Sequence, residues 1–155
     1  MSLDLIYGKP GHLFRRMQQV AVAIFFEECA GFDITPVQYA ALVAIRSRPG
    51  IDATRLSSLV AFDRSTVGSV LERLEGKGLI VRKPSPEDRR IKLLEITPEA
   101  DQLLLAVEPA VARAQERMLE PLGRAERGRF LEQLTRLVRL NNDVTRAPLR
   151  VVGES

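Results

Sequence analysis

A single cysteine and a single histidine stand in 155 residues. No disulfide can form within such a chain, and the Cys/His cluster of a structural zinc site cannot be assembled. Enzymatic routes are equally thin. No glycine-rich phosphate loop and no metal-spaced cluster is present. The one conceivable nucleophile–base pair, Cys29 and His12, lies on one expected helix with its members roughly 25 Å apart along the axis, so it could meet only between two copies of the chain. Long apolar runs are missing as well. The longest uncharged stretches, Met17 to Phe26 and Ile34 to Ile45, fall well short of the roughly 20 residues that span a bilayer. The opening MSLDLIYGKPGH has no basic and apolar leader pattern, so a cytoplasmic protein is expected.

What is present is the balance of one soluble globular domain: 45% hydrophobic and 28% charged residues. Lys+Arg 23 against Asp+Glu 20 gives +3, a mild excess that allows an anionic partner without demanding one.

Periodicity orders the chain. Leu13, Phe14, Met17, Val20, Ala21, Ile24 and Phe25 recur at steps of three and four, predicting an amphipathic helix over about 11–30 that ends at Gly31. Thr35-Pro36-Val37-Gln38 offers a cap, a first-turn proline and a capping-box glutamine, and the helix it opens stops at Pro49-Gly50. Asp52 and Asp63 each precede a short apolar-periodic run, predicting two more helices; the second buries Val67, Val70, Leu71 and Leu74 and closes at Gly76 and Gly78. Leu79–Lys83 and Ile91–Ile96 read as two strands joined by a charged tip, Pro84 to Arg90. Thr97-Pro98 opens a long helix with a 4-3 seam from Ala100 to Met118, which Pro109 is expected to kink or interrupt. A last helix runs from about Arg124, and the tail from Arg146 reads as frayed.

Two short helices, a tight turn and a two-stranded ribbon make a winged helix-turn-helix within a mainly α (α+β) chain. The expected division is a DNA-binding domain over 35–96, helical dimerisation segments over 1–34 and 97–146, and a flexible tail over 147–155. The second helix of such a unit fits the major groove. Opposite its apolar stripe it presents Ser65 and Ser69, with Thr66 and Arg73 at the edges and Arg64 at its start; Gly68 leaves room for a close approach of the backbone. Between Asp63 and Lys92 eight basic residues face five acidic ones, a surplus equal to that of the whole chain. The arginines of the tip suit a narrow, electronegative minor groove.

Three stretches, DRSTVGSVLERLEGKGLI from Asp63, PEDRR ending at Arg90, and LEITPEA ending at Ala100, resemble the MarR family of bacterial transcriptional regulators. The likeness extends over roughly residues 11–145. It implies a homodimer on a palindromic operator, commonly a repressor released by a small ligand, acting at the nucleoid without a cofactor. By position it implies that Ser65, Thr66, Ser69 and Arg73 face the major groove, with Arg64 at the helix start. The same resemblance implies that Arg90 would enter the minor groove and that Asp88 would hold the wing arginine, with Arg89 the remaining DNA-binding candidate of the tip.

Independently of that resemblance, the first helix and the last two carry more apolar surface than one small reading head can cover, which a second copy would bury. Two linked heads would meet half-sites about 34–36 Å apart. On the first helix, His12 and Arg16 stand near Phe14, and with Tyr39 they offer a seat for an aromatic carboxylate; Tyr7 can close it. The run GHLFRRMQQ from Gly11 is similar to MarR-type regulators of aromatic and N-heteroaromatic acid degradation. His12 as a helix-end cap and Arg16 as an intersubunit ion-pair partner remain the alternative. A redox role for Cys29 and a winged helix used for protein contact are the other readings left open; Glu27 and Glu28 beside the thiol argue against the first.

Overall fold

In the computed structural model, which describes residues 2–150, the chain order is α1 (Asp4–Tyr7), α2 (Pro10–Glu28), α3 (Pro36–Ser47), β1 (Ile51–Asp52), α4 (Ala53–Val60), α5 (Arg64–Gly76), β2 (Ile80–Pro84), β3 (Lys92–Ile96), α6 (Pro98–Leu119) and α7 (Arg124–Leu140). A single 3-10 turn, Asn142–Val144, follows α7. None of the described helices is long and apolar enough to cross a membrane.

Side-chain oxygens start four of these helices as the sequence predicts. Thr35 accepts from Gln38 N–H at 3.2 Å while Gln38 Oε1 accepts from Thr35 N–H at 3.3 Å, a complete capping box with Pro36 in the first turn. Asp52 accepts from Arg55 N–H at 2.8 Å and Asp63 from Thr66 N–H at 2.7 Å. Thr97 accepts from Ala100 N–H at 3.3 Å, and its hydroxyl donates to the Gly78 carbonyl at 2.8 Å, joining the start of α6 to the end of α5. That end is a Schellman turn: Leu79 N–H returns to Leu74 O and Gly78 N–H to Glu75 O, both at 2.9 Å. It requires the left-handed φ of +70° that Gly78 adopts.

The sheet has three strands where the sequence predicts two. β3 is central, in the order β1-β3-β2, with Ile51 opposite Leu94 on one side and Arg82 opposite Leu94 on the other, both pairings antiparallel. A two-residue strand has no alternation to read; Ile51 becomes one only because β3 lies alongside. Leu42, Ile45, Leu56, Leu71, Leu74, Ile80, Leu94 and Val107 are fully buried where α3, α4, α5, the sheet and α6 converge.

α6 continues unbroken through Pro109. The proline leaves the Leu105 carbonyl without its intrahelical donor, but Leu105 and Pro109 both lie on the exposed side, where water can satisfy it. The seam of Ala100, Leu104, Val107, Val111 and Ala114 is buried, and α2 packs along this helix. The apolar stripe predicted for the first helix is not covered in the same way. Only Phe25 is buried; Leu13 and Phe14 are 52% and 53% exposed, with Met17 and Val20 also open. α7 buries no residue at all, leaving Phe130, Leu131, Leu137 and Val138 on its surface.

Within the tail expected to fray from Arg146, the described residues make a defined contact: Arg150 N–H donates to the Ser58 carbonyl of α4 at 2.9 Å. The remainder of the expected flexible tail, 151–155, lies outside the described residues.

Candidate nucleic-acid interface

α4 and α5 meet at a sharp corner. Ala61, with φ 54° and ψ 40°, ends α4 in the left-handed region, Phe62 N–H returns to Ser57 O at 3.1 Å, and Asp63 at once caps α5. With Val67, Val70, Leu71 and Leu74 turned inward, the opposite face of α5 shows Arg64, Ser65, Ser69 and Arg73 to solvent. Thr66 is half-buried at the edge of that face. An added Cβ at Gly68 would meet open space, so nothing in the chain itself obstructs a close approach there.

The tip of the wing is built by its own hydrogen bonds. Ser85 N–H donates to Ile91 O at 2.8 Å and Ile91 N–H to Asp88 O at 2.9 Å, closing the loop between β2 and β3. Asp88 then grips Arg90 at three points: Oδ1 accepts from the Arg90 backbone N–H at 3.0 Å and from Nε at 3.1 Å, and Oδ2 accepts from Nη2 at 3.0 Å. This fork-to-fork pairing fixes the guanidinium in direction while leaving the Arg90 side chain 90% exposed. The Arg90 hydrogen bonds hold the Asp88 carboxyl below the ordinary carboxylate range. Behind the tip, Arg82 meets Glu75 of α5 at 2.8 Å and Lys83 meets Glu95 of β3 at 2.6 Å, so the wing is anchored to the helix beside it.

These pairings sort the eight basic residues of the segment. Lys77, Arg82, Lys83 and Arg90 have carboxylate partners, Lys77 bonding Asp33 Oδ2 at 3.1 Å and Asp33 O at 2.6 Å and so tying the end of α5 to the loop before α3. Arg64, Arg73, Arg89 and Lys92 have no ion-pair partner among the described residues, and all four are exposed. A cation not already neutralised is the one that displaces counterions from a phosphate backbone. Lys92, absent from the candidates read off the sequence, joins them for this reason; its signal was the charge surplus rather than any motif.

The four residues considered for an aromatic acid are not gathered into one seat by the single chain. His12 packs against Tyr7, with ring centroids 5.5 Å apart, and its Nδ1 accepts from Arg15 at 3.3 Å. Arg16 donates to Gln19 Oε1 at 2.7 Å, and Phe14 is exposed. Tyr39 is engaged elsewhere: its hydroxyl donates to Glu108 of α6 at 2.7 Å and its ring tilts against Phe25 at 6.3 Å. Burial and the Glu108 carboxylate push its phenol up to about 12. The Glu108 contact, 69 residues away in sequence, was not legible beforehand. Cys29 is buried, and burial with Glu28 beside it raises its thiol, the reverse of what a reactive thiolate needs.

A helix corner with a hydroxyl-lined, arginine-edged second helix, flanked by an arginine-tipped ribbon, defines a winged helix-turn-helix DNA-binding protein. The comparisons with known proteins make this specific. The MarR family model matches residues 34–92. A relative from Thauera aromatica, named as a putative transcriptional regulatory protein for the hcr operon, is 36% identical over 137 residues, 88% of this chain and 82% of its own. Among solved structures, the PcaV transcriptional regulator from Streptomyces coelicolor, in complex with its natural ligand, is 32% identical with a TM-score of 0.81, over 90% of this chain and 97% of that one. The repressor CouR, bound to a 23-mer DNA duplex, is 29% identical with a TM-score of 0.80, over 89% and 98%. BpsR of Bordetella bronchiseptica, solved to explain regulation of its DNA binding by 6-hydroxynicotinic acid, is 29% identical with a TM-score of 0.79, over 84% and 94%. The chain belongs to the MarR family: it is a DNA-binding transcriptional regulator of that type and not an enzyme.

Proposed function

We propose that this regulator is a homodimeric repressor of a palindromic operator, released by a small aromatic or N-heteroaromatic carboxylate, and that it works in the cytoplasm on chromosomal DNA. One observation carries the reading: the outer face of α5 and the wing tip are charged and open, while α2 and α7, which flank the reading head in sequence, leave apolar stripes uncovered. The first surface suits a duplex and the second a like copy. Residues 1–34 and 97–146 supply the paired region and 35–96 the reading head.

In this reading Ser65, Ser69 and Arg73 approach base edges in the major groove, with Thr66 at the margin and Arg64 and Arg89 on phosphates. Arg90 enters the minor groove, held in direction by Asp88. Arg73, if it bonds a base, contributes about 1–3 kcal/mol of discrimination. The effector seat belongs to the exposed face of α2, where His12, Phe14 and Arg16 stand near the surface a second copy covers; Tyr39, tied to Glu108 and packed against Phe25 near the other end of α2, would join it only through that second copy. The pyridine carboxylate that regulates BpsR supports an aromatic acid as the ligand class.

Two experiments test this. Duplexes selected from a random pool by the wild-type protein should lose affinity for Arg73→Ala and Arg90→Ala; unchanged binding in both removes the assignment. Thermal-shift measurements against benzoates and hydroxynicotinates should find a stabilising ligand that releases DNA from the wild-type protein. Arg16→Ala should bind DNA normally and ignore that ligand. Loss of folding in this variant would instead make Arg16 an ion-pair partner between subunits.

A further inference from the structure

After α7 the chain turns back and lies against the corner between α4 and α5. Asn142 clamps Leu149 at two points, its Nδ2 donating to the Leu149 carbonyl at 3.0 Å and its Oδ1 accepting from Leu149 N–H at 2.9 Å. Arg150 is fixed by both its parts: the backbone N–H bonds Ser58 O at 2.9 Å, and the guanidinium meets Asp143 at 2.8 Å. Between these anchors, Ala147 and Pro148 are half-buried.

The segment and the corner together line an open recess of about 580 Å³, to which Ala61, Phe62, Asp63 and Thr66 contribute from one side and Thr145 and Arg146 from the other. Arg146 is exposed and has no ion-pair partner among the described residues. It is nevertheless close enough to be felt by Asp63, whose carboxyl is lowered first by its hydrogen bonds to Thr66 and, to a lesser degree, by the Arg146 charge.

We propose that this C-terminal segment is a third DNA-contacting element, holding Arg146 beside the start of α5 to bind a backbone phosphate. The inference rests on the DNA-binding reading and adds to it a contact that neither the recognition helix nor the wing supplies. A recognition helix meets the duplex with its N-terminal residues. Here that end carries the Asp63 carboxylate, which repels nearby phosphates; Arg146 on the same recess offsets that charge and adds a donor fork suited to a phosphate. A side chain on a segment clamped before and after it also loses less freedom on binding than one on a loose tail. The salt bridge to Asp143 withholds Arg150 from the same role.

The test is equilibrium binding of wild type, Arg146→Ala, Arg146→Lys and Asn142→Ala to a duplex selected by the wild-type protein and to an unrelated duplex, over a range of salt. Arg146→Ala should weaken both by a similar, several-fold factor and reduce the steepness of log K against log[salt] by about 0.9 per bound chain. Arg146→Lys should keep the wild-type slope. Asn142→Ala, which retains the cation but opens the clamp, should shift affinity and slope in the direction of Arg146→Ala. A wild-type slope in Arg146→Ala overturns the proposal. So does lost affinity at unchanged slope with a lower melting temperature, which would make Arg146 a support for the Asp63 cap. Failure of the wild-type protein itself to bind any duplex would bring down the DNA-binding reading and this contact with it.

Discussion

Gly68 lies on the outer face of α5 between Ser65 and Ser69, with empty space where a side chain would stand. A helix-interior glycine costs about 0.8–1.0 kcal/mol relative to alanine, so the position gives up helix stability for clearance. Gly68→Ala should therefore raise the unfolding free energy by about 1 kcal/mol while weakening operator binding. Urea denaturation and DNA titration read the two effects separately, and unchanged DNA affinity would mean the backbone does not come close. Asp63 and Asp88 give the acid limb its sign. Both carboxyls sit below their ordinary range in the folded protein, through the Thr66 and Arg90 hydrogen bonds respectively. Their contributions are thus complete above the usual carboxylate range near pH 4 and fade as pH falls through the lowered folded values. Melting temperature should drop below about pH 4, and Asp88→Asn should make that drop shallower; an identical acid limb in the variant would show that the clamp adds nothing to the fold. The Asp88–Arg90 grip was expected only through the family resemblance of the PEDRR run, and it forms between residues two apart in one turn. The Tyr39–Glu108 bond was not legible, since no local pattern reports a partner on a distant helix.

Among the elements, the capped helices were the most legible, because Thr35, Asp52, Asp63 and Thr97 announce their starts through side-chain chemistry confined to one turn. α1 and β1 escaped because four and two residues are too few to carry a period. The break expected as one outcome at Pro109 does not occur, because the freed carbonyl of Leu105 lies on the exposed side of α6. Replacement there should consequently be favourable. Pro109→Ala restores the missing donor, and should stabilise the protein by about 2 kcal/mol after allowing for the looser unfolded chain. Chemical denaturation checks this, and a loss of stability would mean that neighbouring contacts depend on the proline.

For the molecule as a whole, the apolar stripes of α2 and α7 were visible as periodicity, but nothing in a sequence says whether a stripe faces its own core or a second copy. The fold shows which stripes its own core covers: the α6 seam is buried, whereas Leu13, Phe14, Leu131 and Leu137 are left open, the surface a second copy would cover in the proposed dimer. Charging that open surface should separate subunits without unfolding them. Leu131→Glu with Leu137→Glu is expected to sediment as a folded monomer with far weaker DNA binding, since one reading head loses the second half-site. A dimer of wild-type affinity would move the subunit contact elsewhere.

The most direct measurement is the footprint, with stoichiometry, of the wild-type protein on duplexes it selects from a random pool. Two chains should protect an inverted repeat whose half-sites are centred about 34–36 Å apart, with minor-groove protection at the wing positions. A single chain on an asymmetric site, or a pool that never enriches, would contradict it.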